Sequence, residues 1–188
     1  MDLKYGSDEA KKFITNVGLI TSVGKNKENI MSAEWTHVIS YSPWLVMINI
    51  GDYTATAQNI AETKEFGVSI ASEAQDHICS IAGNGTGKEL DKIGLLKEIG
   101  VEFVNGKKIA APLVSGAALN LECKVVKHEK MGNKIMIIGE VVNFRVEPKT
   151  TPIIFSSGGY KKLSDFAGSK PRVDAKKLEE LTNKYRKN

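Results

Sequence analysis

The chain has 188 residues, of which 41% are hydrophobic and 26% are charged, which is the composition of a soluble globular protein with one core. The net charge is +4, but the lysines are scattered without interleaved aromatic residues, which argues against a nucleic-acid-binding protein. The first residues, MDLKYGSDEAKKF, are charged and no apolar run is long enough to span a bilayer, so we expect a cytoplasmic protein with no signal peptide and no membrane partner.

The first half of the chain predicts strands with short helices between them. Helical spacing in DEAKKFITNV, after a capping Ser7, predicts a helix over residues 8–17. Three extended stretches then predict strands, namely VGLITSV, IMSAEWTHVISYS and WLVMINI. The next segments predict a helix, a strand and a second short helix, in the order TATAQNIAETKEF, FGVSIA and EAQDHICSIAG.

The second half contains a glycine-rich loop that leads into a helix, NGTGKELDKIGLLKEIG, and then VEFVNGKKIAAP, which predicts a hairpin with an Asn-Gly turn. Two long alternating strands flank the turn MGN and predict an antiparallel ribbon. A last strand, an irregular return and a charged helix are predicted from PIIFSS, GGYKKLSDF and DAKKLEELTNKYRKN. Because strands dominate without strict β-α-β alternation, we predict a mainly β (β+α) fold, a barrel of antiparallel strands with short excursion helices.

The glycine-rich segment AGNGTGKE does not form a phosphate-binding P-loop. Ala82 stands where that motif needs glycine, and Glu89 stands where it needs serine or threonine. What remains is a loop with Lys88 and Lys92 near a helix start. Two interpretations stay open, a solvated loop or a basic contribution to a binding site.

The remaining reactive residue types fit no familiar catalytic or metal-binding pattern. His37, His77 and His128 lack ligand spacing, so we expect no metal site. Cys79 and Cys123 form no CxxC pair and are expected to be reduced thiols. No nucleophile elbow is present either, so we predict no catalytic side chain.

The stretch GDYTATAQNI follows directly on a buried strand and opens a helix. The first amides of a helix lack internal partners and favour an anion, while Thr54 and Thr56 add hydroxyl groups and Gly51 permits close approach. The alternative is that Thr54 only caps the helix. Asp52 would repel an anion, so an anion site requires its carboxylate to point away.

Trp35 and Trp44 lie on neighbouring extended stretches. Either they pack in the core or an interface, or one of them forms a wall against a flat aromatic ligand. The small residues Ser32 and Ala33 would let a ligand approach the strand closely.

The ordered segment NIMSAEWTHVISYSPWLVMINIGDYTATAQNIAETKEFGVSIAS resembles the core of the flavin reductase-like family, which includes the flavoredoxins. The family pattern of Asn-x-Met-Ser/Thr-Ala, then Ser-x-x-Pro, then a helix-opening threonine and a "geFgV" strand is matched by Asn29, Met31, Ser32, Ala33, Ser40, Pro43, Thr54 and KEFGVSI. The likeness continues through ELDKIGL, IAAPLVSGAALNLECKVV and GNKIMIIGEVVNFRV, and so covers most of residues 10–160.

This resemblance implies a split β-barrel that binds FMN, with FAD less expected, generally as a homodimer. With the length and charge pattern of the chain, we predict one FMN-binding domain over residues 1–170, followed by a charged helical tail over 171–188. The phosphate would lie at the helix start with Lys92 beside it and Lys88 behind, the ring would lie along residues 32–36 and 49–51, and Tyr160 would lie near the site or the partner. The residues so predicted to bind the cofactor are Asn29, Met31, Ser32, Ala33, Trp35, Thr36, Asn49, Ile50, Gly51, Tyr53, Thr54, Ala55, Thr56, Gln58, Lys88, Lys92 and Tyr160.

The resemblance further implies an oxidoreductase that passes hydride or electrons from NAD(P)H through the flavin to free flavin, ferric iron or a redox protein partner. An electron carrier without turnover of a small substrate, or a regulatory flavin-binding module, remains an alternative. One departure bears on the donor. Many relatives have Gly-Asp-His before the "GEV" strand, and this chain has Gly132, Asn133 and Lys134, which puts nicotinamide use in question.

Overall fold

A computed structural model describes residues 1–4, 6–163 and 175–186. Its helices are α1 (Ala55–Thr63), α2 (Asp76–Gly83), α3 (Lys92–Glu98) and α4 (Ala175–Lys184). Its strands are β1 (Thr15–Asn16), β2 (Gly18–Ser22), β3 (Asn29–Ala33), β4 (Thr36–Tyr41), β5 (Trp44–Ile50), β6 (Glu65–Ile70), β7 (Phe103–Val104), β8 (Leu113–Val114), β9 (Leu119–Met131), β10 (Lys134–Val146), β11 (Ile154–Ser156) and β12 (Gly159–Lys161). The predicted domain boundary between residues 170 and 171 lies outside the described residues.

The central sheet has seven antiparallel strands in the order β3-β2-β6-β9-β10-β5-β4. Its two edge strands, β3 and β4, are joined only by Glu34 and Trp35. In a flat sheet these edges would lie about 29 Å apart, at about 4.8 Å per strand, whereas the three Cα steps of the link span about 11 Å at most. The sheet therefore curls until its edges meet, and the predicted antiparallel barrel with excursion helices is confirmed.

Two groups of buried side chains hold the barrel and its helices together. The first fills the barrel and contains Ile20, Ile48, Ile60, Phe66, Leu121 and Ile137. The second lies between the barrel wall and helices α2 and α3, and contains Leu19, Ile30, Ile78, Ile93 and Leu96. Strand β2 supplies residues to both groups, which explains why all five of its residues are buried.

The helix predicted over residues 8–17 is wrong. Only a 3-10 turn forms at Ala10–Lys12, opened by a hydrogen bond from the Ala10 amide to Ser7 Oγ (3.3 Å). Phe13 and Ile14 are 67% and 58% exposed, so the expected apolar stripe has no surface to bury against. The chain becomes strand β1 instead and pairs with β11.

The extended stretch predicted over IMSAEWTHVISYS is interrupted by a turn. Strand β3 ends at Ala33, and the Thr36 hydroxyl donates to the Ala33 carbonyl (3.0 Å) across the turn. The segment GGYKKLSDF is also not wholly irregular, because β12 pairs with β11. The other predicted strands, the long ribbon of β9 and β10, and helices α1 to α4 are confirmed.

The tight Asn-Gly hairpin predicted in VEFVNGKKIAAP is wrong as well. Strands β7 and β8 do pair, but they enclose the longer loop 105–112. The amides of Lys108 and Ile109 donate to Glu122 Oε2 (2.5 and 3.1 Å), and the Ala110 amide donates to Glu65 Oε1 (2.6 Å). Carboxylates on neighbouring strands satisfy the loop amides, so the loop lies flat on the barrel.

The two cysteines belong to different parts of the core. Cys79 packs among the helices and Cys123 packs inside the barrel, and both are free thiols. Burial raises the pKa of each thiol to about 12, so neither is a reactive thiolate near neutral pH. Among the described residues, no helix has the length and apolar character needed to cross a bilayer.

Candidate functional site

Strand β3 forms the floor of the candidate site, and two helices and a loop meet on it. Asn29 Nδ2 donates to Thr56 Oγ1 (2.7 Å) at the start of α1, and both residues are buried. The other side of the Asn29 amide faces Gly87, where an added Cβ would lie 2.0 Å from Oδ1. Gly83, at the end of α2, lies less tightly against Ser32, since an added Cβ would be 3.5 Å from that side chain, an ordinary contact distance.

The start of α1 is capped by Thr54. Its Oγ1 accepts from the Ala57 amide (3.1 Å) and donates to the Gly51 carbonyl (2.8 Å), so the helix-cap interpretation is confirmed. The hydroxyl proton is committed to Gly51 and is not free for an anion. The amides of Ala55 and Thr56 have no partner within the helix, so donors for an anion at this position would be backbone groups.

The carboxylate of Asp52 does not oppose an anion here. Its Oδ2 lies 2.6 Å from Lys130 Nζ on the β9–β10 ribbon. The hydrogen bond and the charge of Lys130 lower the pKa of Asp52 below its ordinary value. The negative charge is therefore compensated by the ribbon.

Lys92 is the least expected group at this site, because its side chain is only 3% exposed. Its Nζ donates to the Ala82 carbonyl at the end of α2 (2.8 Å), and no carboxylate of the described residues lies within 4.0 Å of it. The neighbouring Asp91 caps α3 by accepting from the Gly94 amide (2.8 Å). Burial lowers the pKa of Lys92 to about 8. An ammonium group is thus buried with one neutral partner, which is costly without an anion.

Lys88 and Tyr160 differ in how closely they approach this floor. Lys88 is exposed on the loop, away from the contacts that surround Asn29 and Ser32. Tyr160, on β12, is half-buried, and its hydroxyl interacts with the side chains of Ser32 and Ser80. Burial raises the pKa of Tyr160, so the phenol stays neutral at ordinary pH. The structure therefore brings Tyr160 to the predicted strand, but not Lys88.

A second group of predicted residues shares the outer face of the barrel beside the link between β3 and β4. The register places Asn49 opposite Met136, and the backbone amide of Asn49 donates to the Trp35 carbonyl (3.0 Å). Lys134 lies two residues before Met136 on β10, so it faces the same side. Its Nζ lies 5.6 Å from the centre of the Trp35 ring, which is 43% exposed. Asn49 Oδ1 is buried without a hydrogen-bond partner among the described residues.

The two tryptophans have different environments, which resolves the alternatives left by the sequence. Trp44 packs against the barrel core and contacts Phe144 edge-on, with the ring centres 5.3 Å apart. Trp35 instead presents its ring on the outer face. Core packing is therefore confirmed for Trp44, and only Trp35 is available as a wall for a ligand.

Several predicted residues point their side chains elsewhere. Thr36 is buried against Gly18, where an added Cβ would lie 2.5 Å from its Oγ1. Ile50 packs in the barrel core, and Gln58 Oε1 accepts from Asn26 Nδ2 (3.2 Å) on the far side of α1. Tyr53, in contrast, is 71% exposed but keeps its ring against Gly51, where an added Cβ would lie 2.9 Å from Cε1.

The described contacts also include residues that sequence reasoning missed. Gly87 fits against Asn29 only because it has no side chain, and the Ala82 carbonyl holds Lys92. The glycine-rich loop gave a signal for Gly87, since a backbone that must approach closely favours glycine. The carbonyl gave no signal at all, because any residue type supplies one.

These groups fit a ligand that combines an anionic end with a polar ring. The buried Lys92 ammonium and the free backbone amides of α1 suit the anion, while Trp35 and the unpartnered Asn49 Oδ1 suit the ring. A flavin nucleotide has both features, so the residues present fit one. Within residues 1–4, 6–163 and 175–186, no group of three or more His, Cys, Asp or Glu side chains is arranged to hold a metal ion.

Comparison with known proteins gives consistent matches. The model of the flavin reductase like domain matches residues 10–164. The NADH-dependent FAD reductase of Streptomyces globisporus is 27% identical over 153 residues, which cover 81% of each chain. Flavin reductase PheA2 in its native state superposes with a TM-score of 0.72 at 26% identity, covering 87% of this chain and 99% of that one. Flavoredoxin from Methanosarcina acetivorans shares the fold, with a TM-score of 0.76 at 21% identity and coverage of 96% and 99%.

Proposed function

The chain belongs to the flavin reductase-like family and is a flavin-dependent oxidoreductase, and from this premise we propose that its cofactor is FMN, bound on strand β3 and the outer face of the barrel. The phosphate lies between the start of α1 and Lys92. The ring lies toward Trp35 and Asn49. FAD, named in the Streptomyces globisporus relative, is the competing cofactor that the test below distinguishes.

The observation that carries this proposal is the buried ammonium of Lys92. A lysine that is 3% exposed and bonded to one carbonyl lacks a counter-ion within the described part of the chain. A phosphate would supply that charge and would accept from the free amides of Ala55 and Thr56. Such a contact is worth more than one at the surface, since water screens it less.

When bound, the flavin supplies the redox chemistry, and the protein supplies binding, orientation and access. Lys92 and the α1 amides anchor the anion, Asn49 Oδ1 accepts a hydrogen bond, and Trp35 limits the space beside the ring. No side chain of the described site acts as a general acid or base in this proposal.

The electron donor in this proposal is NADH or NADPH, and the acceptor is free flavin, ferric iron or a redox protein. The relative from Streptomyces globisporus is named as NADH-dependent, which supports a nicotinamide donor. Lys134 favours a second candidate function, an electron carrier that ignores nicotinamides. By the resemblance described above, many relatives have histidine at its position, and here its Nζ lies 5.6 Å from the centre of the Trp35 ring.

We also propose that the protein acts as a homodimer. Large apolar side chains are exposed on the edge strand β4 and at the end of β10, and their exposed fractions range from 46% to 90%: Val38, Ile39, Tyr41, Phe144 and Val146. A single chain rarely leaves that much apolar surface in water, and a second copy would cover it.

The test is to purify the protein, record its absorption spectrum and identify the chromophore released on denaturation. FMN supports the proposal, whereas FAD, or a colourless protein that takes up no FMN, contradicts it. Anaerobic mixing with NADH and NADPH then separates the two functions. Bleaching at catalytic rates identifies a reductase, and an unchanged spectrum followed by reduction with a reduced ferredoxin identifies a carrier.

The phosphate position is tested by comparing Lys92→Ala with Lys97→Ala. Lys97 lies on the same helix but is exposed and paired with Glu28 at 3.6 Å. We expect Lys92→Ala to weaken FMN binding about tenfold or more, and Lys97→Ala to leave it unchanged. Equal affinity in the two variants would show that the phosphate lies elsewhere.

A further inference from the structure

We propose that the positive charge of Lys134 stabilises the reduced state of the bound flavin and thereby raises the reduction potential of the flavin. This inference rests on the proposed function, because it requires the flavin ring to lie beside Trp35. It makes the tip of the β9–β10 ribbon part of the redox site.

The position of Lys134 follows from strand register. Ile135 pairs with Ile50, so in the antiparallel pairing Lys134 stands across from Gly51, where β5 ends and the chain turns into α1. The Asn49 and Lys134 side chains emerge on the outer face, opposite to the buried Ile50. The lysine thus extends over the end of the strand that borders the proposed ring site.

The charge of Lys134 is not neutralised by the described part of the protein. No carboxylate of the described residues lies within 4.0 Å of Lys134 Nζ. This atom lies 5.6 Å from the centre of the Trp35 ring. The two other lysines of the ribbon tip are paired, Lys130 with Asp52 and Lys127 with Glu129, each at 2.6 Å. Lys134 is also half-buried, so water screens its charge less than that of Lys127.

An unneutralised cation beside a flavin favours reduction for an electrostatic reason. Two electrons and one proton enter the ring, so the reduced ring carries one more negative charge than the oxidised ring. The hydride donor of the proposed reaction supplies both electrons with the proton. An ammonium within about 10 Å, at the effective dielectric of a protein surface, shifts such an equilibrium by about tenfold. The protein then binds reduced FMN more tightly relative to oxidised FMN.

The indole ring helps to hold the charge in place. A lysine over a tryptophan face is stabilised by about 0.5–1 kcal/mol at an exposed site, enough to bias its flexible stem toward one direction. The cationic head therefore stays near the ring site without a carboxylate that would cancel it.

The test measures the reduction potential of bound FMN, equilibrated anaerobically with a reference dye, after the affinity for oxidised FMN has been measured by fluorescence quenching. In Lys134→Gln we expect oxidised FMN to bind within about twofold of wild type. We expect the potential to fall by about 30 mV, the equivalent of a tenfold change for a two-electron couple. Lys134→Arg keeps the wild-type potential, and the matched control Lys127→Gln leaves it unchanged.

The possible failures are distinguishable. If the wild-type protein does not bind FMN, the proposed function fails, and this inference fails with it. If FMN binds and Lys134→Gln keeps the wild-type potential, only this inference is overturned. A raised KM for NADPH with an unchanged potential also overturns it, since Lys134 would then contact the donor.

Discussion

Replacing Lys92 by methionine is expected to stabilise the flavin-free protein while weakening FMN binding. Burial lowers the Lys92 pKa from its ordinary 10.5 to about 8. At about 1.4 kcal/mol per unit, keeping the charge in the folded state costs up to about 3 kcal/mol at pH 7. Methionine fills similar space without charge, and the variant loses one hydrogen bond to Ala82, worth about 1 kcal/mol. The net gain in the free energy of unfolding is about 2 kcal/mol.

The sign of the pH dependence makes this expectation specific. Because the pKa of Lys92 is lower in the folded than in the unfolded chain, the folded protein releases this proton first as the pH rises. Between about pH 8 and pH 10.5 the unfolded chain holds more protons, so the wild-type protein gains stability with rising pH. The Lys92→Met variant has no such group. Its advantage is therefore complete at pH 7 and shrinks as the pH rises through this window.

Urea denaturation of the flavin-free proteins at about pH 7 and about pH 9.5 measures this difference. Lys97→Met is the control, because Lys97 lies on the same helix but is exposed. The same preparations are titrated with FMN by fluorescence. Either of two results would refute the argument that Lys92 is a buried charge lacking its anion. One is a Lys92→Met protein that is less stable than wild type at pH 7, and the other is a stability difference that does not change with pH.

Three further outcomes follow from single contacts. Thr54→Val removes the cap of α1 and lowers the free energy of unfolding by about 1 kcal/mol in urea denaturation, with FMN affinity kept within about twofold and stability restored in Thr54→Ser. Gly87→Ala places a Cβ 2.0 Å from Asn29 Oδ1 and lowers FMN affinity about tenfold in titrations, whereas Gly159→Ala, with open space around it, does not. Glu122→Gln weakens the hold on loop 105–112 and lowers stability by about 1–2 kcal/mol at pH 7. Burial alone would raise the pKa of Glu122, but hydrogen bonds from three backbone amides and Asn143 outweigh burial and lower this pKa. The difference in stability between Glu122→Gln and wild type therefore disappears as the pH falls below about 4.5 and through the folded-state pKa.

The sequence predicted the elements whose pattern is local. WLVMINI formed strand β5 with these bounds, and the alternating ribbon formed β9 and β10. The apolar spacing in residues 8–17 was equally local, but it failed because β11 offers a pairing partner and no surface covers Phe13. Periodicity indicates which side chains need burial, and it does not indicate whether the rest of the chain can bury them.

The candidate site was only partly predictable, for a related reason. Asn29, Thr56 and Lys92 were named from the family order, and the structure does gather them around β3. The same order also named Thr36 and Gln58, whose side chains turn away, because a motif gives the position of a residue and not the direction of its side chain. The pairing of Lys134 with Trp35 depends on the register of three strands and could not be read from either residue.

The two-residue link of Glu34 and Trp35 limits how this protein can change over evolution. One inserted residue there would lengthen the link and displace Trp35, while β4 keeps the register set by its pairing with β5. The insertion would also allow the two edge strands of the sheet, β3 and β4, to lie further apart. Loop 84–90 and the ribbon tip carry no such constraint, since neither joins the two edges. Sequence changes that alter the substrate or the partner should therefore accumulate in those two segments, while the length of the link between β3 and β4 stays fixed.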